Sequence, residues 1–163
     1  MGTAEDYLTG LEARLTADGC TVDHAEVGGY PALVARRSDF RLRWMATRLH
    51  LFTIAIVRPK IDAGELLGFT ADASRYAKKA KPGLPVMLQT GVGLFPAVIC
   101  AEPSPLAVTA ARKEQQVTFG CMARPVVVTP DDGRATWFQG KPALGRFYHS
   151  HFIEKGRRYF HET

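Results

Sequence analysis

The chain has 163 residues and a net charge of +5, and its composition of 46% hydrophobic and 23% charged residues is that of one globular domain. Its three scattered cysteines exclude a disulfide framework and a cysteine-rich zinc site. Its acidic N-terminus is unlike a signal peptide, and no apolar run reaches the ~18 residues of a membrane span. We therefore expect a single compact domain over residues 1–163 in the cytoplasm, with no membrane contact, no metal and no cofactor.

The N-terminal third predicts one helix followed by a run of strands. Apolar residues at helical spacing favour a helix over 4–17, which the Asp18-Gly19 pair ends. After this helix the apolar period changes to two, the period of a strand. Turn residues divide the region that follows into strands at 20–27, 32–37, 40–44 and 51–57.

A tight turn at Ser38-Asp39 is expected to fold the second and third of these strands into a hairpin. The run 51–57 is apolar throughout and rich in β-branched residues. Such a run is typical of a central strand buried on both faces, and Pro59 is expected to close it.

The middle of the chain predicts two helices with short strands between them. Asp62 opens the longest helix as its cap and Lys81 ends it, while Ser104-Pro105 opens a second helix to about residue 115. The short strands are predicted near 86–89 and at 95–101, with a turn at Gly91-Val92-Gly93 between them. Pro96 is expected to place the start of the second of these strands at a sheet edge, because proline has no amide to donate to a neighbouring strand.

The C-terminal part predicts a set of short strands and a last helix. A turn at Asp132-Gly133 joins two of the strands, and Leu144, Phe147, Tyr148, His151 and Phe152 follow the helical period. Residues 154–163 are basic and aromatic; they form either a tail that touches nucleic acid or a helix end that docks on this chain or a symmetric partner. The strands are predicted at 117–122, 126–129 and 135–139.

The order α-β-β-β-β-α-β-β-α-β-β-β-α favours an α+β domain with a mostly antiparallel mixed sheet and helices packed on it. In element order alone, the first part resembles the αβββαβ core of restriction-endonuclease-like folds, and it is equally similar to small α/β domains of secretion-chaperone type. The nuclease resemblance would imply an Asp and then an acid-x-Lys pattern that binds Mg²⁺. Asp39 stands at a strand start, but 51–57 holds no acid, so we expect no nuclease.

The charge of the chain is concentrated in residues 36–60, which carry seven basic side chains and one acidic one, whereas residues 1–35 carry one basic and six acidic side chains. Arginines on a rigid strand face suit phosphate or carboxylate, and aromatic rings beside them could stack on bases. Trp44 and Phe52 are the candidate stacking residues. The candidate anion-binding residues are Arg36, Arg41, Arg43, Arg48, Arg58 and Lys60.

Two interpretations of this basic segment compete with ligand binding. The arginines could form the solvated face of a half-exposed sheet, paired with the acidic first helix. Alternatively they could clamp a small anionic substrate of an enzyme whose chemistry comes from Asp39, Cys121, Tyr148 or His149. We favour a non-catalytic binding or adaptor domain for an acidic partner, either a protein surface or a nucleic acid.

Overall fold

The chain folds into three layers, in which one mixed β-sheet separates two pairs of helices. The computed structural model describes residues 2–41, 44, 47–81, 90–113, 115–118, 120–142 and 146–160. The helices are α1 Ala4–Ala17, α2 Ala63–Ala80, α3 Pro105–Lys113 and α4 His149–Tyr159, the last preceded by a 3₁₀ turn over Arg146–Tyr148. The strands are β1 Thr21–Val27, β2 Tyr30–Arg41, β3 Thr47–Ile61, β4 Thr90–Pro103, β5 Gln116–Thr118, β6 Cys121–Ala123, β7 Val126–Thr129 and β8 Arg134–Thr136.

Alternating side chains of the strands build a separate core on each face of the sheet. Phe52, Ile54 and Ile56 of β3 pack with α2 and α3 on one face. Leu49, Leu51 and Ala55 pack with α1 and α4 on the other. This division follows from the period of two along a strand, which sends neighbouring side chains of β3 to opposite faces from Arg48 onwards.

The sheet runs in the order β1-β2-β3-β4, and β4 then pairs with both β6 and β7. β5 pairs with β6 and β8 pairs with β7, each as a hairpin. Four of the seven pairings between described strands are antiparallel, and the three made by β4 are parallel. The expected α+β class, with a mostly antiparallel mixed sheet and helices packed on it, is confirmed.

The prediction that Pro96 marks an edge is wrong, because β4 is the central strand of the sheet. The Val92 amide and the Leu94 carbonyl bond towards β6, so by alternation the Pro96 nitrogen faces the same side. There the neighbouring strand is interrupted between β6 and β7, at Arg124 and Pro125. No described strand pairs with Pro96 on that side, so the absence of a backbone N–H group at this position breaks no hydrogen bond of the sheet.

The predicted turn at Gly91-Val92-Gly93 is also wrong, since all three residues lie within β4. The close approach of α4 explains Gly93, where a Cβ atom would lie 2.8 Å from Phe152 Cζ. The strand expected at 86–89 lies outside the described residues.

The predicted turn at Ser38-Asp39 is wrong as well, because β2 continues through both residues to Arg41. Their side chains are bonded to other parts of the chain: Ser38 contacts His50 on β3, and Asp39 accepts from Arg37. β3 likewise continues past Pro59 to Ile61, since its pairing with β2 ends at Ala55 and leaves that side of β3 open.

The predicted helices agree closely with the structure. α1 has the expected bounds and is capped by Thr3, whose side chain bonds reciprocally with Asp6. Asp62 accepts from the Glu65 amide at 2.7 Å, and Ser104 accepts from the Ala107 amide at 3.1 Å. The strand predicted over 117–122 is instead the hairpin of β5 and β6, which turns at Gly120 with φ of 72°.

The C-terminal segment docks on the core of this chain as part of α4. Tyr159 and Phe160 are fully buried, and Phe95 contacts both rings edge-on at 6.5 and 5.6 Å between centroids. The Arg14 guanidinium of α1 donates to the Tyr159 carbonyl at 2.8 Å. No helix in the described part of the chain is long and apolar enough to cross a membrane.

Candidate functional site

Four of the predicted anion-binding residues share one face of the sheet. Arg36, Arg48, Arg58 and Lys60 occupy strand positions in phase with Phe52, so they belong to the face that α2 and α3 cover. Arg41 is the last residue of β2. Arg43 lies outside the described residues. The hairpin that would have brought Arg36, Arg41 and Arg43 together is not formed.

Arg36 and Arg48 meet around His50, near the end of α2. Ser38 lies opposite His50 in the β2–β3 register, and its hydroxyl is 2.6 Å from His50 Nδ1. The Arg36 guanidinium donates to the Ala80 carbonyl in the last turn of α2 at 3.4 Å. This anchor holds Arg36 over the end of the helix, next to Lys81. We call Arg36, Ser38, Arg48, His50 and Lys81 the His50 cluster.

His50 is 5% exposed and is held neutral by its surroundings. Burial lowers the pKa of His50, and the positive charges of Lys81, Arg48 and Arg36 lower it further. Three cations therefore surround one uncharged imidazole. A bound anion would relieve the mutual repulsion of these cations.

The outer side of the His50 cluster is open to solvent. Ser38, Phe40 and Arg48 are exposed, and Phe40 lies opposite Arg48 in the register with its side chain 49% exposed. Among the described residues no carboxylate forms an ion pair with Arg36 or Arg48. Guanidinium groups without a carboxylate partner are suited to bind carboxylate or phosphate through paired hydrogen bonds.

The two remaining basic candidates lie towards the other end of β3 and have partners. Arg58 stacks over the Tyr30 ring at 4.8 Å and lies 3.7 Å from Glu65. Lys60 lies 3.5 Å from Glu102 on β4. Neither belongs to the His50 cluster.

Neither predicted stacking residue faces solvent. Trp44 and Phe52 are each 1% exposed, one in the core under α1 and α4 and the other in the core under α2 and α3. Trp44 contacts Tyr148 and His151 edge-on, at 5.1 Å in each case. The exposed ring beside the arginines is that of Phe40.

On the opposite face, the acidic end of α1 is paired with basic groups of β2 and α4. Asp18, at the C-terminal cap of α1, accepts from Arg37 at 2.7 Å and from Lys155 at 2.8 Å. Arg158 and Tyr159 also donate to it, each at 2.5 Å. Burial alone would raise the pKa of Asp18, but bonds from Lys155 and Tyr159 and the charges of Lys155 and Arg37 lower it to about 2. The acidic end of α1 is therefore paired with Arg37, which was not among the arginines that the sequence analysis considered for such a pairing.

Asp39 belongs to the same buried network. It accepts from both ends of the Arg37 guanidinium at 2.9 Å and from His151 Nε2 at 3.0 Å. These bonds and the charges of the two partners overcome the effect of burial and hold the pKa of Asp39 well below its usual range. Its oxygens are thus engaged in tying β2 to α4, which is not the arrangement of a Mg²⁺-binding nuclease carboxylate.

The other residues considered for catalysis do not assemble into one site in the described part of the chain. Cys121 is buried against α2, and burial raises the pKa of its thiol to about 11. His149 Nδ1 lies 3.2 Å from the buried Arg124 guanidinium, which acts as donor. Tyr148 packs against Trp44. The described residues also contain no group of three or more His, Cys, Asp or Glu side chains that could hold a metal ion.

The contact between Ser38 and His50 and the approach of Lys81 were missed by the sequence analysis. Both depend on register: Ser38 meets His50 because β2 runs unbroken to Arg41, and Lys81 approaches because α2 packs over the same face. A turn placed at Ser38-Asp39 hides this pairing.

Comparison of the chain with protein-family models, curated proteins and solved structures finds no match.

Proposed function

We propose that this chain is a binding domain that docks an acidic protein surface on the His50 cluster. The observation that carries the proposal is the placement of Arg36 and Arg48 on the same sheet face as the buried His50, with Arg36 bonded to the end of α2 that bears Lys81. Clustered cations of this kind raise the local concentration of acidic partners and accelerate their association. The hydroxyl of Ser38 adds an exposed hydrogen-bonding group to the same surface.

The surroundings of the cluster favour a protein over a nucleic acid. Phe40 and Arg48 lie side by side and exposed, and arginine and aromatic residues are enriched at the centres of protein interfaces. Sequence-tolerant binding of single strands relies on several rings on which successive bases stack, whereas Trp44 and Phe52 are buried and, of these three aromatic residues, Phe40 alone is exposed. We therefore assign the acidic partner to the protein class.

Charge reversal at the two arginines tests this proposal. Binding of a fluorescent glutamate-rich peptide, single-stranded DNA and duplex DNA would be followed by anisotropy over a range of salt concentrations. The Arg36→Glu, Arg48→Glu double variant is expected to bind the peptide about tenfold more weakly than wild type or worse, a change of roughly 1.4 kcal/mol. Its control is Arg75→Glu, which alters an exposed arginine of α2 that is paired with Asp72.

Two results would refute the proposal. One is peptide binding that is the same in the double variant and in the control. The other is DNA binding that is tighter than peptide binding and is lost in the double variant, since that would assign the cluster to nucleic acid. For either ligand, contacts through the two arginines would appear as a shallower salt dependence in the double variant.

The proposal also covers the cellular location of the domain and its association with a second copy. A cytoplasmic location agrees with three free cysteines, one of them, Cys20, half-buried and two buried. Association of two copies is also open to measurement. Light scattering over a concentration series would give the mass in solution.

A second candidate function is hydrolysis of a small anionic ester, which the Ser38–His50 contact of 2.6 Å favours. In this reaction the Ser38 hydroxyl would attack the ester carbonyl and transfer its proton to the neutral His50, which would pass it to the leaving alcohol as the ester C–O bond breaks. Water that gives a proton to His50 would then attack the acyl-serine, release the acid and restore the Ser38 hydroxyl, while Arg36 and Arg48 hold the anionic group of the substrate. An anionic nitrophenyl ester would be the probe. Release of nitrophenolate by wild type at the rate of the Ser38→Ala variant would exclude this candidate.

A further inference from the structure

A second surface lies at the outer edge of β8, away from the His50 cluster. Among the described strands β8 pairs with β7 alone, so its other side is an open sheet edge. Natural sheets usually cover or shorten such an edge, because its main-chain groups can pair with another strand. β8 is three residues long, and residues 137–140, which belong to no helix or strand, follow it.

A groove follows this edge. One part of it, about 440 Å³ in volume, lies between α3 and the β7–β8 hairpin, with Val108 and Arg112 on the helix side and Thr129 and Arg134 on the hairpin side. The second part, about 610 Å³, is lined by the consecutive residues 134–140 together with Arg112. Seven successive residues thus line this part of the groove, so a peptide bound in it would follow the course of the chain from β8 onwards.

The charges of the groove are arranged along its length. Arg112 and Arg134 line both parts. The side chain of Arg134 is 75% exposed and its Nε lies 3.7 Å from Asp132, an exposed ion pair of the kind that contributes little in solvent and can be exchanged for a ligand carboxylate. Asp131 and Asp132 line the part at the hairpin turn, whereas the part along 134–140 contains the two arginines and no carboxylate among the residues that line it. An occupant of this second part is therefore selected for negative charge.

We infer that the β8 edge binds an extended acidic peptide segment of a partner protein, which adds to the sheet as a further strand. Main-chain hydrogen bonds to β8 supply affinity in this mode, and side-chain contacts supply specificity. Acidic side chains on one face of the peptide would reach Arg112 and Arg134, because alternate residues of a strand share a face. A second copy of this chain is a poorer occupant, since it would bring its own Arg112 and Arg134 to the same groove.

The test uses three fluorescent peptides and three forms of the full chain. The peptides are an alternating Glu-Val sequence, the same sequence with alternate backbone amides N-methylated, and the corresponding Lys-Val sequence. The proteins are wild type, the Arg112→Glu, Arg134→Glu double variant, and Lys113→Glu, which reverses an exposed charge on α3 outside the groove lining. Anisotropy measures the dissociation constants, and circular dichroism verifies that each variant is folded.

Wild type and Lys113→Glu should bind the Glu-Val peptide equally, while the double variant should bind it at least tenfold more weakly. N-methylation should weaken binding to wild type by a similar factor, and the Lys-Val peptide should not bind. Equal binding of the methylated peptide would overturn strand addition, and equal binding by the double variant would overturn the site. Concentration-dependent dimerisation that the double variant abolishes would assign the edge to a second copy and overturn the acidic peptide. The three proteins are also compared on an Arg36→Glu, Arg48→Glu background, and the test of the His50 cluster is repeated on an Arg112→Glu, Arg134→Glu background. Each background removes the other surface for acidic peptides, so binding that remains belongs to one surface and each can fail independently.

Discussion

Replacing Asp18 by asparagine is expected to destabilise the fold by about 3 kcal/mol at neutral pH. The side chain of Asp18 is 3% exposed and accepts from Arg37 and Lys155, with further bonds from Arg158 and Tyr159. Its pKa falls from 3.8 to about 2 in the folded chain, a shift that corresponds to about 2.5 kcal/mol. Asparagine keeps the shape and leaves the buried Lys155 without its anion, and breaking a buried pair in this way costs roughly 3–5 kcal/mol.

The pH dependence of this loss has a defined sign. Because the pKa of Asp18 is lower in the folded than in the unfolded chain, the stabilisation is complete above pH ~4 and is lost as the pH falls towards 2. Urea unfolding of wild type and Asp18→Asn should therefore differ by a constant amount between pH 8 and pH 5, and by less below pH 4. The matched control is Asp23→Asn, at an exposed position of β1. A difference below about 0.5 kcal/mol at pH 7, the range of surface substitutions, would refute this account of the network.

Three further predictions concern packing and reactivity. Gly156→Ala should destabilise the chain by about 1–3 kcal/mol in urea unfolding, because the new Cβ would come within 3 Å of three carbon atoms of the Trp137 indole; an unchanged midpoint would contradict this contact. Gly68→Ala, at an open and exposed position of α2, should instead stabilise by about 0.5–1 kcal/mol, and any loss would show that the position is constrained. The native chain should react slowly with a thiol reagent at pH 8. The half-buried Cys20 should react faster than Cys121, because burial raises the pKa of the Cys121 thiol to about 11. Rapid reaction of all three thiols before unfolding would contradict the buried placement.

The helices of this fold could be predicted from local signals, because caps and periodicity act within a few residues. Thr3, Asp62 and Ser104 each bond to an amide three residues ahead, and the helices begin where these caps place them. The position of each strand within the sheet was harder to predict, because it depends on partner strands that are distant in the sequence. Pro96 is typical of an edge, and its central place becomes understandable once Pro125 is seen to interrupt the neighbouring strand.

The candidate site could be predicted only in part, because it too depends on strands that lie far apart in the sequence. The basic composition of residues 36–60 identified Arg36 and Arg48, which do belong to the His50 cluster. Composition could not assign side chains to faces of the sheet, and β2, which runs four residues past its predicted end, gives Ser38 and Asp39 strand neighbours in place of a turn. Ser38 and Asp39, typical of a turn, are instead bonded to histidines on opposite sides of the sheet.

The contacts between Asp18 and α4 also determine when the fold can be completed. Lys155 and Tyr159 are synthesised 137 and 141 residues after Asp18, so α1 emerges during translation long before its partners exist. Until they do, Leu11 and Leu15 lack the rings of Phe152 and Phe160 that complete their side of the core. The nascent chain must therefore keep this apolar surface uncovered until α4 has been synthesised. A premature stop codon that removes α4 would leave a product with the same surface permanently exposed, the kind of chain that chaperones and proteases recognise.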